Sequence, residues 1–250
     1  MSLPDREISA ILKKFGPEIE TYLRTVGFFD ITGQYGPTDI LNARAMATYR
    51  KASLAKNREV WAALEKWLFP EMVDFGAAFI ATYGLIKPPN VKEIATDYIK
   101  ERGGFLIKRM AATDQKRLTA FIWQNSMKNE RPLARRILKE PNLVSIVAGH
   151  RPETIIRTER GRAIRSGSQN IAIGAGAKEK MWVTAGDGRV RPSHKSLNGT
   201  TWSIEEDIPG EGQYPGEIAI GCRCHLQYGF EAKRANYANQ PMSTLEELYS

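Results

Sequence analysis

Apolar positions three and four apart run through most of residues 1–112, the period of amphipathic helices. Ile8, Ile11, Leu12 and Phe15 form one stripe behind the start signal Pro4-Asp5, and Gly16-Pro17 ends it. Ile19, Tyr22, Leu23 and Val26 form the next, closed by Gly27, and residues 30–37 have loop chemistry. From Thr38 the period passes through Leu41, Ala45, Tyr49, Trp61, Leu64 and Leu68. Pro70 is expected to interrupt it, Met72, Val73, Phe75, Phe79, Ile80 and Tyr83 to continue it, and Gly84 to close it. Val91, Ile94, Tyr98 and Ile99 predict another helix, stopped by Gly103-Gly104. A fresh start at Thr113-Asp114 leads the stripe Leu118, Phe121 and Ile122. Pro132 opens a short helix ended by Pro141, and Pro152 a longer one through Ile155, Ile156, Glu159, Ala163 and Ile164.

Near residue 180 the period changes to two. Residues 180–185 have strand composition, Gly186-Asp187-Gly188 is a turn signal, and Arg189-Val190-Arg191 continues to Pro192. A hairpin over 180–192 would put Asp187, Arg189 and Arg191 on one face and Val190 on the other. Residues 203–216 are a loop rich in acid, glycine and proline. Residues 217–228 then alternate: Ile218, Ile220, Cys222, Cys224, Leu226 and Tyr228 on one face, Glu217, Ala219, Gly221, Arg223, His225 and Gln227 on the other. The expected class is α+β, a helical N-terminal part followed by a small C-terminal module with an antiparallel sheet packed on helices. The expected division is a helical domain at 1–112, the module at 113–230 and a tail at 231–250.

Composition adds little to this picture. An apolar fraction of 42% and a charged fraction of 26% are ordinary for a globular protein. The net charge of +8 favours polyanionic or acidic partners without choosing one. Two cysteines are no disulfide framework, and the first residues have no basic-then-apolar leader pattern, so folding in a reducing cytoplasm is expected. The most apolar run, residues 75–81, falls well short of the ~20 residues of a membrane span and reads as a buried helix. Helical spacing assigns Trp61, Trp67, Phe75 and Phe79 to core packing rather than a ligand pocket. Residues 1–128 contain no phosphate loop, metal-ligand cluster or nucleophile elbow.

The chemistry concentrates after residue 130. Arg131, Arg135, Arg136, Lys139, Arg160, Arg162 and Arg165 are candidates for contact with double-stranded DNA, against the plainer reading of a solvated helix face. Arg157 and Glu159 face apart on a helix, so each either finds another partner, with the C-terminal module a candidate source, or is solvent-exposed. Asp187, Arg189 and Arg191 suit an ion-pair network, an anion site, or a capped turn with exposed arginines. His194 can be a metal ligand, a general base or a structural histidine, and the last is the default where no partner is known. Alternation puts Cys222 and Cys224 on the apolar face, which favours buried free thiols. Zinc on His194, Cys222 and Cys224, with Asp187 as a fourth candidate, is the sharper alternative, although structural sites usually space cysteines two to four residues apart. A disulfide ranks last.

Taken in order, Arg157-Thr158-Glu159, Trp182, Thr184, Asp187, Arg189, Arg191, Ser193-His194, Gly199, Pro215-Gly216 and Cys222-Arg223-Cys224 resemble the phage Mu protein F-like family of head morphogenesis proteins, over residues 113–228. The order and spacing carry the likeness. Gly221 departs from it, because the family usually has asparagine before Cys-Arg-Cys. The resemblance implies a minor capsid protein of a tailed bacteriophage, lodged in the virion after assembly in the host cytoplasm. Its implied partners are the portal protein and capsid or scaffold proteins, with double-stranded DNA as a further candidate and no membrane. Its implied work is head assembly, DNA packaging or DNA delivery. It carries no catalytic residue over, and Arg157, Glu159, Asp187, Arg189, Arg191, His194 and Arg223 form a candidate polar constellation. No cofactor is expected beyond the zinc alternative. The competing class is a metal-dependent hydrolase or nuclease using Asp187 and His194.

Overall fold

A computed structural model describes residues 43–126 and 152–230, together with residues 6, 7, 9–11 and 14, which are helical. The expected helices at 17–27 and 132–141, the loop at 30–37 and the tail at 231–250 lie outside the described residues. The fold is α+β: α1 (Ala43–Tyr83), α2 (Val91–Ser126), α3 (Pro152–Gly174), β1 (Glu179–Val183), the single helical turn α4 (Pro192–Lys195), β2 (Thr201–Ser203) and β3 (His225–Gly229). The chain divides into two compact units, Met1–Glu65 with Glu101–Glu153, and Lys66–Lys100 with Thr154–Ser250.

Two expected breaks are absent. α1 runs unbroken through Pro70. A proline removes one hydrogen bond from a helix, and the apolar stripe on either side of it holds the direction, with Leu68 and Met72 both buried. α2 runs unbroken through Gly103-Gly104. Gly103 is there for closeness: a Cβ on it would stand 2.4 Å from Nε1 of Trp61. Sequence reading took a glycine of close approach for a stop signal. Thr113-Asp114 is likewise no helix start, since both residues lie inside α2.

In the first unit Val60, Trp61, Leu64, Leu106, Met110 and Leu118 are buried, so the aromatic Trp61 is core as its spacing predicts. Polar groups are enclosed among them. Lys56 Nζ donates to Asp114 Oδ2 at 2.7 Å, and neither side chain has any exposure. Ser53 Oγ adds a bond to the same oxygen at 2.6 Å. Burial pushes the Lys56 ammonium down, opposed by the charge and hydrogen bond of Asp114.

The second unit builds the sheet. Gly84 (φ 57°) ends α1 as a left-handed cap. Leu85 N–H bonds Ile80 O and Gly84 N–H bonds Ala81 O, each at 3.1 Å, which is a Schellman motif. Asn90 caps α2, its Oδ1 accepting from the N–H groups of Lys92 and Glu93. The strands order β2-β1-β3, all antiparallel, with Trp182 opposite Leu226 and Lys180 opposite Trp202 and Tyr228. The sheet core of Trp182, Leu226 and Tyr228 merges with Phe75, Phe79 and Tyr83 of α1 and Ile164 and Ile171 of α3. Phe79 and Tyr83 meet Tyr228 edge-on at 5.7 and 6.3 Å between ring centres.

The expected hairpin at 180–192 does not form. β1 ends at Val183, and its partners are β2 and β3 rather than residues 189–191. The expected long strand at 217–228 is shortened to its last part, because residues 217–224 are turns and irregular chain. Ile218 and Ile220 are exposed at 56% and 52%, while His225, assigned to the polar face, is buried.

Candidate functional site

α3 is the element on which the site is mounted. Thr158, Glu159, Arg162, Arg165, Ser166 and Gln169 are buried on it, a polar stripe at helical spacing. Arg162 donates to Glu159 Oε1 at 2.7 Å along its own helix, and its Nε reaches Gly216 O at 2.7 Å. Arg165 donates from Nε to Cys224 O at 2.6 Å and from Nη2 to Cys222 O at 2.8 Å. Gln169 Nε2 reaches Ile204 O at 2.7 Å. These side chains fix loop segments that have no ladder of their own, satisfying buried carbonyls that would otherwise be costly.

Tight backbone is needed where the loops meet. Gly216 (φ +81°) would bring a Cβ within 3.1 Å of Cys222 Cβ. Gly221 has φ +67°, a conformation that glycine and asparagine both adopt readily. Glycine is thus compatible with a position where the resembled family has asparagine.

Asp187 follows β1 in a capped turn, its Oδ1 accepting from Arg189 N–H at 3.0 Å. Arg223 grips the same carboxylate with two nitrogens, at 2.5 and 2.6 Å. The hydrogen bonds from Arg223 hold this carboxyl down to about 2. Arg189 is mostly exposed and reaches the carboxylate only at 3.8 Å. Arg191 turns to Ile220 O, at 2.7 Å. The three residues expected on one strand face therefore have three different tasks, and those of Asp187 and Arg191 are with residues 217–224.

His194 lies in α4, begun by Pro192, and is 3% exposed. Its ring meets Trp182 edge-on at 5.3 Å. Nδ1 faces both thiols, 3.5 Å from Cys222 Sγ and 3.6 Å from Cys224 Sγ. Nε2 lies 2.9 Å from Glu211 Oε1. Both cysteines are free and buried. The hydrogen bond from the Cys224 thiol holds Cys222 below the usual thiol range, at about 6, against burial and with help from the Arg165 charge. The same bond and burial push Cys224 up. Burial, then the charge of Arg165, lowers His225 to about 4.

The structure thus brings together Asp187 with Arg223, Glu159 with Arg162, and His194 with Cys222 and Cys224. It leaves Arg157 exposed on α3, away from Glu159's ion pair. Among the DNA-contact candidates, Arg160 pairs with Glu71 at 2.7 Å. Arg162 and Arg165 are buried at 3% and 6% exposure and occupied by carbonyls, rather than presented to solvent. Arg131, Arg135, Arg136 and Lys139 lie outside the described residues. Sequence reading missed Glu211, which sits in a loop with no periodic signal. It also missed the inward face of Arg162 and Arg165, which the recurrence of polar residues at 159, 162, 165–166 and 169 does signal.

No curated protein and no solved structure matches the chain. Residues 124–227 match the family model described as Phage Mu protein F like protein. That range contains α3, β1, β2 and the loops carrying His194, Glu211, Cys222 and Cys224. Over residues 124–227, then, the chain is similar to the phage Mu protein F-like family.

Proposed function

We propose that this protein is a minor head protein of a tailed bacteriophage, bound at the portal inside the capsid and acting in head assembly, DNA packaging or DNA delivery. The observation that carries the reading is the family match over residues 124–227. The site geometry agrees with an architectural role. Asp187 and Glu159 are tied to arginines, and Arg162 and Arg165 are spent on holding loops. The competing hydrolase pairs Asp187 with His194, and the geometry does not favour it. His194 converges with Cys222 and Cys224, and Asp187 is not in that group.

Capsid proteins are the expected partners. Among the described residues no helix is long and apolar enough to cross a membrane. The test is co-purification of the tagged full chain with procapsids and portal from infected cells, where a few copies per particle are expected. A phage lacking the protein that still assembles, packages and infects at the normal level would overturn the proposal.

A further inference from the structure

We propose that His194, Cys222 and Cys224 form a metal site of the zinc class, with three protein ligands and a fourth position left open. Their donor atoms lie within 4.8 Å of one another, and all three residues are buried. Zinc bonds of about 2.3 Å to sulfur and about 2.0–2.1 Å to nitrogen, at tetrahedral angles, place nitrogen and sulfur donors roughly 3.6 Å apart. The two distances from His194 Nδ1 are 3.5 and 3.6 Å. The two nitrogen–sulfur distances therefore already match edges of a coordination tetrahedron, with the two sulfurs within 4.8 Å of each other. The softness of two sulfurs and an imidazole selects zinc-like ions over magnesium or calcium.

The surroundings are those of a prepared ligand set. Glu211 Oε1 stands 2.9 Å from Nε2 of His194, placed to hold the tautomer in which Nδ1 presents its lone pair to the sulfurs. A carboxylate behind a ligating histidine fixes its tautomer and orientation and raises its basicity. Arg165 clamps the carbonyls of both cysteine residues. Both thiols face the same Nδ1 of His194. Gly216 packs beneath Cys222 where a Cβ would crowd it. The short Cys-x-Cys spacing, unusual for zinc, is accommodated because the third ligand comes from α4 rather than from a second cysteine pair.

The three residues also line a pocket of about 100 Å³ with Arg189, Arg191 and Arg223. Three protein ligands with a solvent-facing fourth position differ from closed structural sites, where the protein supplies all four. Water or a small anion completes the sphere from this pocket. Zinc takes both cysteines as thiolates, so whatever thiol protons the pair still carries leave as the ion enters, and the two thiolates neutralise the metal charge.

The experiment uses the full chain, reduced, stripped of metal and titrated with Zn²⁺ and separately with Co²⁺. One ion per chain is expected, with proton release and, for cobalt, thiolate-to-metal charge transfer and tetrahedral d–d bands. Cys222→Ser and Cys224→Ser should each abolish the charge-transfer signature of a two-thiolate site. Glu211→Gln, which keeps all three ligands, should weaken Zn²⁺ binding by about 10–100-fold with the helical circular dichroism unchanged. A natively folded chain that takes up no Zn²⁺ overturns the proposal. So does equal Zn²⁺ uptake by the wild type and both serine variants.

Discussion

Each unit of this protein encloses a polar cluster, and the two are built on opposite terms. In the first, Lys56 and Asp114 meet at 2.7 Å with no exposure at either side chain, and Ser53 joins them. Opposite charges meet there, with Ser53 and Asn57 buried beside them on the same carboxylate oxygen. In the second, His194 and two thiols face one another beside a pocket, and the charges nearby are Glu211 behind His194 and arginines bound to carbonyls or to Asp187. A closed ion pair holds helices in register. Soft donors that converge on one point have the geometry of a receptor. Burial alone does not separate the two cases; the separation comes from what each polar atom is aimed at.

The largest effect is expected from breaking the closed pair. Asp114→Ala strands the Lys56 ammonium in the core, and a loss of about 3–5 kcal/mol in urea unfolding is expected. Replacing both partners, Lys56→Met with Asp114→Leu, should restore that stability or exceed the wild type, by up to about 4 kcal/mol. If the double variant is as weak as the single one, the cluster does more than cancel charge.

Arg165→Ala attacks the other region. It leaves the carbonyls of Cys222 and Cys224 without their clamp, at about 1–3 kcal/mol for each buried acceptor. Hydrogen exchange should show the loss concentrated in residues 216–228, with residues 43–65 and 101–126 protected as before. Gly103→Ala is comparable in size and opposite in place. Its Cβ meets the Trp61 indole, so about 1–3 kcal/mol is expected, with a shift in tryptophan fluorescence.

The smallest effect is a pH dependence. The Asp187 carboxyl is lowered from 3.8 to about 2, chiefly by hydrogen bonds from Arg223. A depressed acid stabilises the fold above its unfolded value, so this contribution is complete above pH 3.8 and is lost as pH falls through about 2. Asp187→Asn should remove that acid limb from the stability profile. Asp187 is exposed enough for water to screen it, so the change should be modest beside the two above.

Much of the fold was legible because burial imposes a period. The stripes through Trp61, Leu64, Phe79 and Ile164 marked buried helix faces, and the change to period two marked a sheet. The exceptions share a cause. Pro70 and Gly103-Gly104 are local stop signals overridden by packing: an apolar face continuing past Pro70, and an indole that needs Gly103's missing Cβ. The hairpin failed because strand composition at 189–191 does not say which strand will pair with β1, and β3 lies some forty residues further on. Within the site, Cys222 and Cys224 were correctly expected to be buried. Their place on the apolar face and their spacing along the chain favoured plain buried thiols over ligands, and although His194 was a candidate third ligand, only the fold brings its Nδ1 within 3.5 and 3.6 Å of the two sulfurs.

The sequence by itself determined the buried helix faces, the α+β class, the family likeness of residues 124–227 and the concentration of polar chemistry after residue 130. Those features are local, or are carried by residue order, and both survive in one dimension. Only the tertiary structure decided that Arg162 and Arg165 turn inward, that Asp187 belongs to Arg223, and that Glu211 stands behind His194. These pairings join residues far apart in the chain. Their partners are set by which buried carbonyls and charges lack a bond once the helices and sheet have packed, a condition no stretch of sequence contains alone.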